Sequence, residues 1–195
     1  MKCRPRGNPR IVEPCAWYKV DDDSYIDAIV NSITDNWESS SIVYDNDHNS
    51  VPRTNSDRTS TQQPLPIKPD GTPLGQLLNI IDQLNYDTWN LDIDGTDDVD
   101  DHTGILKYEV GGQFVWHTDI TRTRATRKLG FTLQLSSPED YEGGELQFMN
   151  QPLQPQIKEK GVLTVFPSWV WHQITPVTKG TRLAVAGWVH GPMFQ

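Results

Sequence analysis

The sequence predicts a mainly β protein, an antiparallel sandwich or barrel with two helices laid on one sheet face. Three observations carry that expectation. From residue 104 onward, ILKY, QFVWHTDI, LGFTLQL, GELQF, VLTVF and TRLAVAGWV are short strand-like runs at fairly regular spacing. VGG, SSPEDYEGG, NQPLQPQ, FPS and TKG separate them, turn chemistry without intervening helices. The helical periodicities all fall before residue 90. At 195 residues one domain is expected, with residues 1–103 as a helical and loop support region and 104–191 as the β core.

In chain order, DSYIDAIVNSITDNW (23–37) carries apolar residues at 26, 29, 30 and 33, a helical stripe, and the Asp run before Ser24 supplies a cap. Residues 38–70 are rich in Ser, Asn, Asp and Pro and read as loop, interrupted by a short strand around Ile42–Tyr44. TPLGQLLNIIDQLNY (72–86) is a second helix with Pro73 in its first turn. TWNLDI (88–93) alternates like a strand, and the acidic run DGTDDVDD (94–101) follows. Counted from Asp92, Gly95 falls fourth where a calcium loop needs glycine sixth, so the run reads as a solvated turn. It could also dock a basic substrate.

Composition narrows the function classes. The net charge is −9, which argues against sequence-independent nucleic-acid binding. Mean hydropathy is −0.59, and no apolar run approaches the about 20 residues of a membrane span. MKCRPRGNPR lacks the apolar stretch of a secretory signal, and Lys2, Arg4, Arg6 and Arg10 read as a solvated terminus. The two cysteines, Cys3 and Cys15, supply neither a disulfide framework nor a Cys-rich zinc site. A reducing, cytoplasmic location is expected, the host cytoplasm for a viral chain. Monomer and homodimer are both open.

FVWHTDI (114–120) raises the central question. His117 and Asp119 lie at i and i+2, the same face of a strand, within a bulky apolar run. Phe131, Leu133 and Leu135 share one face of their strand, as do Leu183, Val185 and Val189 of theirs. The opposite faces, Gly130, Thr132 and Gln134, and Arg182, Ala184, Ala186 and Trp188, are small or polar. They suit a cavity lining better than a packed core. His172 supplies a third candidate ligand. Two imidazoles and a carboxylate can occupy one face of a metal octahedron, the arrangement of non-haem Fe(II) oxygenases. The order is H-x-D, 52 residues, His, nine residues, Arg182. His48, His102 and His190 read as ordinary surface or core histidines. Two other readings remain: a non-catalytic cupin-like binding module, and a metal-dependent hydrolase using the same three residues on zinc or manganese. The second gives Arg182 no role.

LKYEVGGQFVWHTD, RKLGFTLQLSSPEDYEGGELQF and KGVLTVFPSWVWHQITPVTKGTRLAVAGW, spanning roughly residues 104–191, resemble the prolyl-4-hydroxylase-like branch of the Fe(II)/2-oxoglutarate-dependent dioxygenases, nearest to PKHD-type hydroxylases. The shared features are aromatic-x-x-Gly-Gly before H-x-D, YEGGEL, FPS before the distal His, and PVTKGxR after it. The resemblance implies a double-stranded β-helix, a cupin-like jelly roll, as the catalytic core. It implies His117, Asp119 and His172 as iron ligands and Arg182 as the clamp on the distal carboxylate of 2-oxoglutarate. Tyr108 would bond that carboxylate, Thr132, Gln134 and Ala184 would line the cosubstrate pocket with Ala186, and Trp188 would wall it. Gln134 stands where some members place a tyrosine, and Arg182 where the collagen type has lysine. The implied cofactors are Fe(II), 2-oxoglutarate and O2, with ascorbate as reductant. The implied reaction is hydroxylation of a C–H bond, most simply at a prolyl residue of a peptide or protein, with succinate and CO2 as co-products. Phe114, Trp116 and Trp188 would form a low-polarity shell, with core packing the alternative for Phe114 and Trp116.

Overall fold

The computed structural model describes residues 13–40, 42–45, 50–53, 56–65, 73–94 and 103–194, with backbone alone at 42–45, 50–53 and 73–74. Cys3, the basic residues of the first ten, His48, His102 and the acidic run from residue 95 to 101 lie outside the described residues. In chain order the elements are β1 (Ala16–Lys19), α1 (Asp23–Asn31), β2 (Glu38–Ser39), β3 (Ile42–Asp45), β4 (Ser50–Arg53), β5 (Thr61–Pro64) and α2 (Pro73–Thr88). Then follow β6 (Gly104–Tyr108), β7 (Phe114–His117), β8 (Arg127–Gln134), β9 (Tyr141–Gly143), β10 (Leu146–Phe148), β11 (Val162–Pro167), β12 (His172–Ile174), β13 (Val177–Gly180) and β14 (Arg182–His190). No helix of the described residues is long and apolar enough to cross a membrane.

The large sheet runs β1-β11-β8-β14-β6-β5-β2, antiparallel throughout. Opposite it stand the sheet β10-β12-β7 and the pair β13-β9. These two opposed layers form a double-stranded β-helix. The strand periodicities set which residues face which way. Leu129, Phe131, Leu133, Val185 and Val189 of the large sheet pack under Ile26 and Ile29 of α1 and Leu77, Leu78 and Ile81 of α2. The opposite face of the same sheet meets the small one, and Leu106, Tyr108, Leu146, Phe148, Phe166, Ile174 and Val177 form a second core between them. The helices therefore cover one face and leave the inter-sheet space for the site.

Several local expectations need correction. α1 stops at Asn31, six residues before the end of the predicted helix, although its cap does come from the Asp run: the Asp22 carboxylate accepts from the Tyr25 N–H at 3.1 Å. TWNLDI is not a strand: α2 runs on to Thr88, and residues 90–94 are coil. There Asn85 side-chain bonds to the Leu91 N–H and C=O, at 3.0 and 2.9 Å, end the helix. The segment read as loop contains the β3–β4 hairpin and also β5, which joins the large sheet through β6. YEGG and TKG form the β9–β13 pair. Gly143 has φ +70°, and a Cβ there would stand 2.1 Å from the Pro176 carbonyl oxygen, so only glycine fits this close turn.

Candidate metal and cosubstrate site

Strand pairing builds the site. His172 on β12 lies directly across from His117 on β7 in register. Asp119 follows two residues later. Its backbone N–H donates to the Ser168 carbonyl at 2.9 Å, and the Ile120 N–H donates to the same oxygen at 3.2 Å, so the FPS turn after β11 anchors the loop that carries the carboxylate. The three side chains place one ligand atom each within 4.8 Å of one another. Nε2 of His117 and Nε2 of His172 are each 3.7 Å from an Asp119 carboxylate oxygen.

The imidazoles are aimed. Nδ1 of His117 is 2.8 Å from the Val115 carbonyl, and Nδ1 of His172 is 2.9 Å from the Val170 carbonyl. A carbonyl only accepts, so Nδ1 carries a proton in each ring and Nε2 is the nitrogen turned to the centre. Burial, then the neighbouring His172, push the His117 pKa down to about 3, so that ring is neutral near pH 7. Its contact with Asp119 is thus no ion pair. Asp119 is itself buried, with only these ring nitrogens at ion-pair distance among the described residues. Electron pairs and a buried negative charge converging on one point are unfavourable until a cation sits there. The donor set, two nitrogens and one oxygen on one side, fits a divalent metal with open positions opposite.

Packing holds the donors close. The Phe114 ring stacks on His117 with centroids 3.5 Å apart, and Phe166 lies against His172 at 4.5 Å. Gly130 on β8 faces Asp119, and a Cβ there would come within 2.6 Å of both the Asp119 carboxylate and the Phe166 ring.

The cavity that holds the triad is also lined by Thr132, Arg182, Ala184, Ala186 and Trp188, which strand alternation placed on its faces, and by Tyr108, which the resemblance implied. Arg182 pairs with Tyr108 in register across β14 and β6, and its guanidinium lies 5.4 Å from the centre of the Tyr108 ring. It is 3% exposed, and no carboxylate of the described residues stands at ion-pair distance from it. Its hydrogen-bond partner is the Tyr141 hydroxyl, whose pKa burial raises, so the guanidinium charge is not neutralised there. The Arg127 guanidinium stacks on Trp188 at 3.6 Å and fixes that wall.

Two assignments shift. Gln134 does not line this cavity; it donates to the Tyr141 hydroxyl at 3.1 Å and lines an adjacent hollow with Arg182. Trp116 is 37% exposed and lines no part of the cavity, so it supplies no shell. Tyr141 and Arg58 were missed. Tyr141 sits in the YEGGEL motif, which was the available signal; Arg58 sits in a Ser/Thr/Asn-rich stretch and carried none.

The sequence pattern of the 2OG-Fe(II) oxygenase superfamily matches residues 103–190. The chain is 39% identical over 91 residues to a PKHD-type hydroxylase of Synechococcus sp., covering 44% of this chain and 41% of that protein. A PKHD-type hydroxylase of Idiomarina loihiensis is 37% identical over 87 residues, 44% of this chain and 40% of that one. The match thus spans about two fifths of those relatives' length. The likeness in fold extends further than the sequence match. A Pseudomonas putida prolyl-4-hydroxylase superposes with TM-score 0.66 at 18% identity, covering 93% of this chain and 94% of that one. A Trichoplax adhaerens prolyl hydroxylase, solved with a hypoxia inducible factor peptide fragment, superposes with TM-score 0.61 at 15% identity, covering 92% and 84%.

Proposed function

We propose that this chain is an Fe(II)- and 2-oxoglutarate-dependent dioxygenase that hydroxylates a C–H bond of a peptide, with a prolyl residue as the first candidate. The observation that carries it is one cavity with an aimed His-Asp-His donor set and a buried guanidinium with no carboxylate at ion-pair distance among the described residues. The first calls for a divalent cation and the second for an anion. A dicarboxylate with a keto group beside one carboxylate answers both. A hydrolase on the same three ligands leaves Arg182 without a role. The peptide substrate is supported by the PKHD-type relatives and the prolyl hydroxylase neighbours.

Iron held by Nε2 of His117, a carboxylate oxygen of Asp119 and Nε2 of His172 would supply O2 activation coupled to decarboxylation of 2-oxoglutarate to succinate and CO2. The chain's own work is positional. The Val115 and Val170 carbonyls keep both Nδ1 protons away from the metal side. Arg182, with its planar fork, holds the distal carboxylate, and the Tyr108 hydroxyl supplements it. Thr132, Ala184 and Ala186 leave room for the carbon chain, and Phe114, Phe166 and Trp188 exclude water from the reacting end. We propose ascorbate as the reductant that maintains Fe(II).

Anaerobic titration of the full chain with Fe(II) and then 2-oxoglutarate tests the site. A weak visible charge-transfer band is expected in wild type and not in His172→Ala, with Arg182→Ala needing far more 2-oxoglutarate. Iron binding without a band in wild type would sink the cosubstrate assignment. Proline-containing peptides then follow, read by mass spectrometry for the gain of one oxygen atom.

A further inference from the structure

A second hollow, of about 260 Å³, adjoins the metal cavity, and the reaction proposed above gives it no role. Arg182 and Leu146 line both spaces. The Arg182 guanidinium is 5.4 Å from the centre of the Tyr108 ring, which lines the metal cavity, and bonds the Tyr141 hydroxyl, which lines the hollow. The hollow runs from Arg182 and Gln134, 3% and 2% exposed, to Leu153, 55% exposed, so it opens to solvent. Pockets for drug-sized ligands begin near roughly 300 Å³, so this one suits a smaller molecule.

Donors are in surplus there. The Tyr141 oxygen accepts from Gln134 Nε2 at 3.1 Å and from Arg182, which leaves its own proton to give, and among the described residues no acceptor stands for it. Arg182 has more N–H groups than its bond to Tyr141 uses. Lys158 Nζ lies 4.4 Å from the centre of the Tyr141 ring and 3.4 Å from the Tyr141 carbonyl oxygen, with no carboxylate of the described residues at ion-pair distance. Among the described residues one carboxylate lines the hollow, Glu145, and it accepts from the Gln147 side chain at 3.3 Å. Buried donors without acceptors are costly, and an incoming carboxylate brings two oxygens to them. Leu146, Pro155 and Ile157 supply apolar wall, the last two from the helical turn Pro155–Lys158. We propose that the hollow binds a small carboxylate with an apolar body, and that this occupant and 2-oxoglutarate compete for Arg182. The competition rests on the oxygenase reading above; the occupancy does not.

The chain's net charge of −9 opposes anions at long range, so selective uptake of one reports local donors. The test is calorimetric titration of the full chain, without iron or 2-oxoglutarate, using phenylacetate and its neutral isostere phenylacetamide. Phenylacetate is expected to bind at least about tenfold tighter, the worth of one charged hydrogen bond. Variants at Leu153 and Lys158, which line the hollow and not the metal cavity, locate the binding. Leu153→Asp sets a like charge at the exposed rim and should weaken phenylacetate by at least about tenfold. Lys158→Gln should weaken it by about two- to fivefold. Thermal unfolding of both variants shows that they are folded. The anaerobic Fe(II) and 2-oxoglutarate titration is then repeated with phenylacetate at about ten times its dissociation constant. The 2-oxoglutarate needed for half of the charge-transfer band should rise about tenfold in wild type. No phenylacetate binding, equal binding of acid and amide, or phenylacetate binding unchanged in both variants overturns the site. An unshifted 2-oxoglutarate midpoint overturns the competition for Arg182. A missing band in wild type beside an intact phenylacetate preference rejects the oxygenase reading and leaves the hollow standing.

Discussion

A guanidinium with 3% exposure and, among the described residues, no carboxylate beside it costs the folded chain stability until an anion arrives. Two outcomes separate that view from a structural role for Arg182. Without 2-oxoglutarate, Arg182→Met should melt no lower than wild type, because it removes an uncompensated buried charge and keeps the volume. With Fe(II) and 2-oxoglutarate at about 100 times the dissociation constant, wild type should gain about 2.7 kcal/mol and the variant almost none. Scanning calorimetry of both proteins, with and without ligands, checks this. Gly130 makes a second residue-scale prediction. Gly130→Ala drives a methyl into the Asp119 carboxylate and the Phe166 ring, so metal affinity should fall by at least tenfold in a protein that still folds, destabilised by about 1–3 kcal/mol. Calorimetric titration with Mn(II) reads the first and urea unfolding the second. At this scale most of the site was legible. His117, Asp119, His172, Tyr108, Thr132, Arg182, Ala184 and Trp188 line one cavity; strand alternation placed Thr132, Arg182, Ala184 and Trp188 on its faces, whereas Tyr108 came from the resemblance and His172 from its chemistry and spacing. Arg58 was not legible, since its place depends on pairing with Phe114, 56 positions away.

At the scale of elements, β8 and β14, which alternate, and β11, a short apolar run buried throughout, were readable, and so were both helices. The misses share a cause. β5 is TQQP, with no apolar rhythm; it is a strand because β6 offers it a ladder. β9 and β13 hold glycines and charges and are strands because they pair with each other. TWNLDI alternates, but α2 packing decided otherwise, with Trp89 buried in the helix-side core. Tertiary pairing overrides local pattern in short segments. The helices serve support rather than chemistry, which Leu77→Ala tests. Leu77 is 0% exposed on the buried face of α2, so the substitution should cost about 2–5 kcal/mol by urea unfolding while leaving Mn(II) affinity within about twofold.

At the scale of the whole molecule, the buried site makes stability depend on pH. His117 has a folded pKa near 3, well below the ordinary value of 6.5. Between those values the unfolded chain binds a proton at residue 117 that the folded chain does not, so stability rises with pH across that window and falls as acid is added. His117→Gln should flatten the metal-free stability profile there, by at most about 1.4 kcal/mol per pH unit, and leave it unchanged above pH 7. Equal slopes in wild type and variant would refute the assignment. One last consequence comes from the His117–His172 register. Cross-strand partners share a phase, and a strand's phase has only two settings. One extra residue inserted between Phe114 and His117 would rotate the imidazole outward without deleting any donor. The cradle can thus be silenced by counting alone: every ligand would still be present in the sequence, and any search by composition would still find it.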